Sequence, residues 1–292
     1  MRHALAGHPL FDLSRLAQVA EKLRQHGDMD RLVASDARAN RTGSKFTEMD
    51  RLDVLPDALR HLDESGAWMK LSQANLIDED YRILLDGLLA ELEDLSGRNL
   101  RDEITWPILT IFLSSPGIVT PYHIDHESNF LLQIQGEKEV CLFDPADRGV
   151  LPIEEIERFY SGNAEAASYH DDLAPRGALY RLKPGDGVHH PPLAPHWVRN
   201  GNAVSVSVSI SFCTRTLDRT AKIHQANLIL RRLGLHPSPP GTRPLRDSVK
   251  VAALQAFSKR RPETRNEMLF SGIRRLAKPV EAARQLGRLV GA

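Results

Sequence analysis

Along the first hundred residues the apolar positions recur at helical spacing. Leu16, Val19, Ala20 and Leu23 repeat at intervals of three and four, so they share one stripe of a helix that Asp12 is suited to cap. Leu84, Leu85, Leu88, Leu89, Leu92 and Leu95 mark a second inward stripe, with Asp78 before it as cap and Gly97 after it as stop. The polar run from Arg38 to Lys45 reads as a loop. Residues 1–103 are therefore expected to be mainly helical. Beyond Ile104 the period changes. Residues 108–114, 130–135 and 139–143 are short β-rich runs divided by Pro and Gly. Residues 204–212 alternate as VSVSVSISF, with Ser205, Ser207, Ser209 and Ser211 on one face and Val204, Val206, Val208, Ile210 and Phe212 on the other.

Residues 144–179 carry no strand pattern, only a helix near 153–159, and look like a long insert. Short strands with turn signals between them predict a sandwich or small barrel over 104–215. Helical spacing returns over 216–292. It gives a helix at 217–233 ended by Gly234, a Pro-rich linker HPSPPGTRP, and helices at 246–258 and 264–290. The expected fold is a mainly β core with N-terminal and C-terminal α-helices.

Composition narrows the class. The 292 residues are 41% hydrophobic and 26% charged, an ordinary globular balance. No apolar run approaches the roughly 20 residues that cross a bilayer, and MRHALAGHPLFDLSRL lacks the apolar stretch of a secretory signal. Cys141 and Cys213 make no disulfide framework, which fits a reducing cytoplasm. Net charge is zero, but residues 241–292 hold twelve Lys/Arg against four Asp/Glu. Those charges are interleaved with Leu, Val and Ala at helical spacing, the pattern of a solvated helical face. They lack a recognition-helix pattern, so neither nucleic acid nor membrane is an expected partner.

The chemistry concentrates in TPYHIDHESNFLLQIQGEKEVCLFDP. His123 and Asp125 stand two apart, which on an extended strand aims an imidazole and a carboxylate at one point. A third ligand must come from LKPGDGVHHPPLAPHWVRN, which offers His189, His190 and His196. His196 fits best, because it follows a GD turn, a strand and a Pro-rich bend. Two His and one carboxylate form the facial triad of non-haem Fe(II) oxygenases and leave three metal positions open. An HxD pair alone is a weak signal, since two polar residues on an edge strand give the same letters. Thr120, Asn129 and Lys138 at −3, +6 and +15 from His123 strengthen it. The serine face of 204–212 suits the lining of a cavity. His126 and Glu127 are candidates to contact substrate, Trp197 reads as packing and Asp186 as a turn residue.

The run T-P-x-H-x-D-x-x-x-N-F-x-x-Q-I-x-G-x-K from Thr120 to Lys138, followed by FDP at 143–145, resembles the JmjC-type, cupin-like 2-oxoglutarate oxygenases, especially the protein-hydroxylase branch that includes an asparaginyl hydroxylase. The likeness covers about residues 104–213. It implies a double-stranded β-helix (cupin or jelly-roll) core, with His123, Asp125 and His196 holding Fe(II), and 2-oxoglutarate and O2 as cosubstrates. It implies that Lys138 and Thr120 bind the distal carboxylate of 2-oxoglutarate and that Asn129 lies near its metal-chelating end. Ser211 falls where the asparaginyl hydroxylase has an asparagine near the cosubstrate, a departure that bears on cosubstrate orientation. Aspartate at the second ligand position resembles the hydroxylases more than the histone demethylases. The implied reaction is therefore hydroxylation of a C–H bond of a protein side chain or small molecule. Apolar stripes in 217–233 and 279–290 suggest a homodimer through the C-terminal helices. The rival readings are a non-catalytic, ligand-sensing cupin-like transcription regulator and a metal-dependent cupin that uses no 2-oxoglutarate.

Overall fold

The computed structural model describes residues 1–26, 32–36, 47–48, 61–64, 66–163 and 166–276. The chain divides into two compact units, one of residues 1–150 and 168–213 and the other of 151–167 and 214–292.

The first unit opens with α1 (Leu13–Gln25), which buries Leu16, Val19, Ala20 and Leu23 as the spacing predicts. Asp12 is its N-cap residue, but the carboxylate makes no capping hydrogen bond. Three strands follow where a mainly helical region was expected: β1 (Leu32–Asp36), β2 (Thr47–Glu48) and β3 (Ala67–Leu71). Strand pairing supplies what local periodicity lacks there, since β3 runs antiparallel to both β1 and β4 (Ile104–Ser114). The loop expected at 38–45 lies outside the described residues. Helix α2 (Glu79–Ser96) starts at Asp78, whose carboxylate accepts from the Asp80 amide, and stops at Gly97 in the left-handed region at φ 63°. Its inward stripe is shorter than the leucine spacing suggests. Leu85 is buried and Leu84, Leu88 and Leu89 pack beside it, but Leu95 is 80% exposed, because the last turn runs past the core.

The remaining strands are β5 (Val119–His123), β6 (Ser128–Gln135), β7 (Lys138–Leu142), β8 (Ala178–Leu182), β9 (Gly187–His190), β10 (His196–Asn200) and β11 (Ser205–Thr214). They form a seven-stranded sheet in the order β2-β1-β3-β4-β11-β6-β9 and a four-stranded sheet in the order β5-β10-β7-β8. Strands β1–β2, β1–β3, β3–β4, β5–β10, β7–β10, β7–β8, β6–β9 and β6–β11 pair antiparallel. One face of the larger sheet carries Leu109, Ile111, Leu113, Leu132, Ile134, Val206, Val208 and Ile210, packed on α1 and α2. The other face meets the smaller sheet: Leu131 and Val188 share a cluster with Val140, Leu142, Leu182 and Val198. Two antiparallel sheets closed on each other in this way make a double-stranded β-helix.

These clusters fix which side chains look inward. Alternation along a strand puts Lys138 on the side of Val140 and Leu142, and His196 and Asn200 on the side of Val198. It likewise puts His190 with Val188 and the β11 serines opposite Val206 and Val208. The serine face is therefore interior, and much of it is a polar ladder rather than a cavity lining. Ser207 Oγ donates to Gln133 Oε1 (2.7 Å), Gln133 Nε2 donates to Ser205 Oγ (3.0 Å), and Ser209 Oγ donates to Asn129 Oδ1 (2.6 Å). Each bond ties β11 to β6, so the hydroxyls are satisfied without water.

The second unit contains α3 (Ile153–Phe159), α4 (Arg215–Arg232), α5 (Pro244–Phe257) and a helical segment at 265–276. Ala226, Leu254 and Ile273 form its apolar centre. Gln225 Nε2 donates to the carbonyls of Tyr160 and Leu269, and the buried Glu157 pairs with Arg231 at 3.0 Å. Among the described residues, no helix is long and apolar enough to cross a membrane.

Candidate metal centre

His123 ends β5, and Asp125 lies two residues past that end. The two were expected on one strand; the carboxylate instead reaches the same point from the loop. His196 begins β10 and is the direct cross-strand partner of His123. Asp125 Oδ2 stands 3.6 Å from His123 Nε2 and 3.7 Å from His196 Nε2, and the imidazole centroids are 4.2 Å apart. The donor atoms of all three residues lie within 4.8 Å of one another, close enough to share one ion at ligand distances of about 2 Å.

Backbone carbonyls orient both rings. His123 Nδ1 bonds the Pro121 carbonyl at 2.7 Å and His196 Nδ1 bonds the Ala194 carbonyl at 2.9 Å. A carbonyl only accepts, so each Nδ1 carries a proton, and in the neutral ring each Nε2 then presents its lone pair toward Asp125. This is the tautomer a metal ligand needs. Burial, followed by the neighbouring His123, holds the His196 imidazolium down to about 4, against the opposing pull of Asp125 and the Ala194 carbonyl. The ring is thus neutral and ready to ligate at ordinary pH.

The bend Pro191–Pro195 sets His196 in place. Leu193 sits in the left-handed region at φ 62°, its amide donates to the Asp125 carbonyl (2.8 Å), and the Phe143 amide donates to the Pro195 carbonyl (2.9 Å). A leucine in that region is strained, and these bonds from two sides hold it there. The two prolines flanking PLA were the only sequence signal for this clamp. The GD turn behaves as expected, with Gly185 at φ 91° and Asp186 accepting from the Lys183 amide at 3.1 Å.

Thr120 faces the same way as His123 although three residues separate them. Residues three apart on a regular strand face opposite ways. Between His123 and Thr120 the register with β10 slips by one, so that His196 pairs with His123 but Val198 pairs with Thr120. This β-bulge turns both side chains inward. Lys138 opens β7 opposite Asn200 and is only 5% exposed. Burial alone pushes its ammonium down to about 7. No ion pair to Lys138 occurs among the described residues. Asn129 and Ser211 are cross-strand partners on the inner face. His126 and Trp197 are buried and Glu127 is half-buried.

The two adjacent histidines part company. His189 lies on the outer face, exposed, stacked on Phe130 at 4.5 Å and bonded to Ser128 Oγ at 2.8 Å. His190 is 4% exposed and edge-on to His196 at 4.4 Å between centroids. Burial, then the neighbouring His196, holds its pKa well below the ordinary value.

A double-stranded β-helix with two histidines and an aspartate converging at one end defines a cupin with a candidate metal centre. The cupin-like domain family model matches residues 12–226, and the chain belongs to that family. Jumonji C domain-containing protein 5 of Drosophila melanogaster is 35% identical over 105 residues, 34% of this chain and 26% of that protein. The chain thus spans about a quarter of the length of this curated relative. Among solved structures, the ribosomal oxygenase YcfD of Escherichia coli is 18% identical. It aligns over 88% of this chain and 61% of its own, with a TM-score of 0.44. A complex of that enzyme with cobalt and 2-oxoglutarate is 17% identical over 89% of this chain and 58% of its own, at a TM-score of 0.43. The DMSP lyase DddQ of Ruegeria pomeroyi is 17% identical over 37% of this chain and 38% of its own, at a TM-score of 0.24.

Proposed function

We propose that this protein is an Fe(II)- and 2-oxoglutarate-dependent oxygenase that hydroxylates a C–H bond of a protein side chain or small molecule. One observation carries the reading: a His–Asp–His donor set with both Nε2 atoms free shares the barrel interior with a buried, unpaired lysine. The donors suit ferrous iron, being two imidazoles and a carboxylate with no thiolate among them. Iron with 2-oxoglutarate supplies the oxidising power, using O2 and releasing succinate and CO2.

The chain's own residues bind and orient. His123, Asp125 and His196 would hold the metal on one face. Lys138 and Thr120 would take the far carboxylate of the diacid. His196 and Asn200, the partner of Lys138, are four residues apart on β10, roughly 13 Å of strand. A long lysine side chain and a five-carbon diacid can share that span. An ammonium buried without a counter-charge is costly, so a carboxylate bound there restores the balance. The apolar residues Leu131, Val140 and Val198 packed beside it would keep water from the same space.

The test is anaerobic titration of the protein with Fe(II) and 2-oxoglutarate, read by the visible metal-to-ligand charge-transfer band, followed by aerobic assay of succinate. The wild type should show the band and turn over 2-oxoglutarate. His123→Ala and Asp125→Ala should show neither. A wild type that binds metal yet gives no band would refute the assignment and favour a ligand-sensing or 2-oxoglutarate-independent cupin. Turnover in cell extract, with mass spectrometry for products heavier by one oxygen, addresses the substrate.

A further inference from the structure

We propose that His190 is the fourth polar group of the metal pocket, a donor that binds the metal-chelating carboxylate of the 2-oxo acid and not the metal itself. This rests on the 2-oxoglutarate reading above. His190 lies at the end of β9 on the inner face, in one row with Asn129 of β6 and Ser211 of β11: Asn129 pairs with both. The row ends beside the ligand set, since the His190 ring meets the edge of His196 at 4.4 Å.

Both ring nitrogens of His190 are buried and have no hydrogen-bond partner. Such atoms are rare in folded proteins and usually mark a missing polar partner. The adjacent His189, exposed and bonded to Ser128, shows that the sequence can satisfy a histidine here when it faces outward. His190 is nevertheless outside the converging set of His123, Asp125 and His196. A neutral imidazole always keeps one N–H. That donor suits a carboxylate oxygen, which only accepts. Ser211 stands two strands from His190 in the same row, across Asn129, and its hydroxyl is a shorter donor than an imidazole. Asn129 cannot turn its oxygen toward a ligand freely, because Ser209 Oγ already donates to it.

The experiment compares wild type, His190→Leu and His190→Gln as full-length protein. Co(II) binding is read calorimetrically without cosubstrate. 2-Oxoglutarate binding is then read from the anaerobic Fe(II) charge-transfer band, with a thermal melt as folding control. Wild-type metal affinity should persist in both variants. His190→Leu should weaken 2-oxoglutarate binding roughly tenfold to a hundredfold, the range for losing a hydrogen bond to a charged group, and should move the band. His190→Gln keeps an N–H and should recover part of that affinity. Loss of metal affinity would make His190 a ligand and overturn the proposal. Unchanged 2-oxoglutarate affinity in a folded His190→Leu would reduce the residue to packing. If the wild type itself gives no band, both this inference and the function it rests on fall; if only the variants match the wild type, this inference falls alone.

Discussion

Replacing Lys138 by methionine tests the pocket from two opposite directions. The lysine opens β7 on the inner face, and burial pushes its ammonium from 10.5 to about 7. The unfolded chain keeps that proton up to its ordinary pKa, whereas the folded protein gives it up near neutrality. Between these values the unfolded state binds more protons, so stability rises with pH. The penalty is complete below pH 7 and vanishes above the ordinary lysine pKa. At 1.36 kcal/mol per pKa unit it amounts to about 3–5 kcal/mol at pH 6, and to roughly 2 kcal/mol at pH 9. Methionine fills a similar space without the charge. The metal-free variant should therefore melt about 10 °C above wild type at pH 6, scaled for a unit of this size, and the gap should narrow by pH 9. The same change should weaken 2-oxoglutarate binding on the order of tenfold to a hundredfold, because a carboxylate loses its ammonium partner. The measurements are melts by circular dichroism in a chelating buffer at both pH values, and the anaerobic charge-transfer titration. A variant that melts lower than wild type by the same amount at both pH values would mean that the ammonium is not penalised. Unchanged 2-oxoglutarate affinity would mean that the cosubstrate does not reach it.

Three further outcomes follow from the packing. Gly136 turns between β6 and β7 at φ 71°, and a Cβ there would collide with the Val204 carbonyl; Gly136→Ala should lower stability by more than about 2 kcal/mol in urea melts, and a neutral result would show that the turn can relax. Asp78 joins α1 to α2 through Arg15 at 2.6 Å and Lys22 at 2.5 Å. Burial raises its carboxyl, but the bonds from Lys22 and Arg15 outweigh this and hold it below its ordinary value. Its contribution is thus present above about pH 4 and is lost as pH falls through the folded value. Asp78→Asn should cost about 2–3 kcal/mol at pH 7 and progressively less as pH falls below the ordinary carboxylate range, whereas a cost independent of pH would exclude the ion pairs as its source. In the helical unit an apolar cavity of about 530 Å³ lies between Ile229, Leu230, Val249, Ala253 and Leu254, with Leu245 86% exposed at its edge. We propose that this face carries a homodimer contact: light scattering should give twice the chain mass for wild type and the chain mass for Leu245→Asp, and a monomeric wild type would remove the contact.

The sequence by itself determined the chemistry-bearing letters and the elements that local periodicity can write. The α1 stripe of Leu16, Val19, Ala20 and Leu23, the alternation of β11, the GD turn and the His123–Asp125 pair with a distal His196 are all legible from spacing. So is the run from Thr120 to Lys138. Tertiary structure decided the rest. Strands β1 and β3 escaped the pattern because the strands they pair with, β3 and β4, are distant in sequence, and a strand exists only when it is paired. The bulge that turns Thr120 inward with His123 is a property of the β5–β10 register, and the burial that leaves Lys138 half-neutral near pH 7 is a property of both sheets closing. Of the neighbours His189 and His190, letters alone could not say which enters the pocket, since one step along a strand exchanges the faces and only the partner strand says which face is inside.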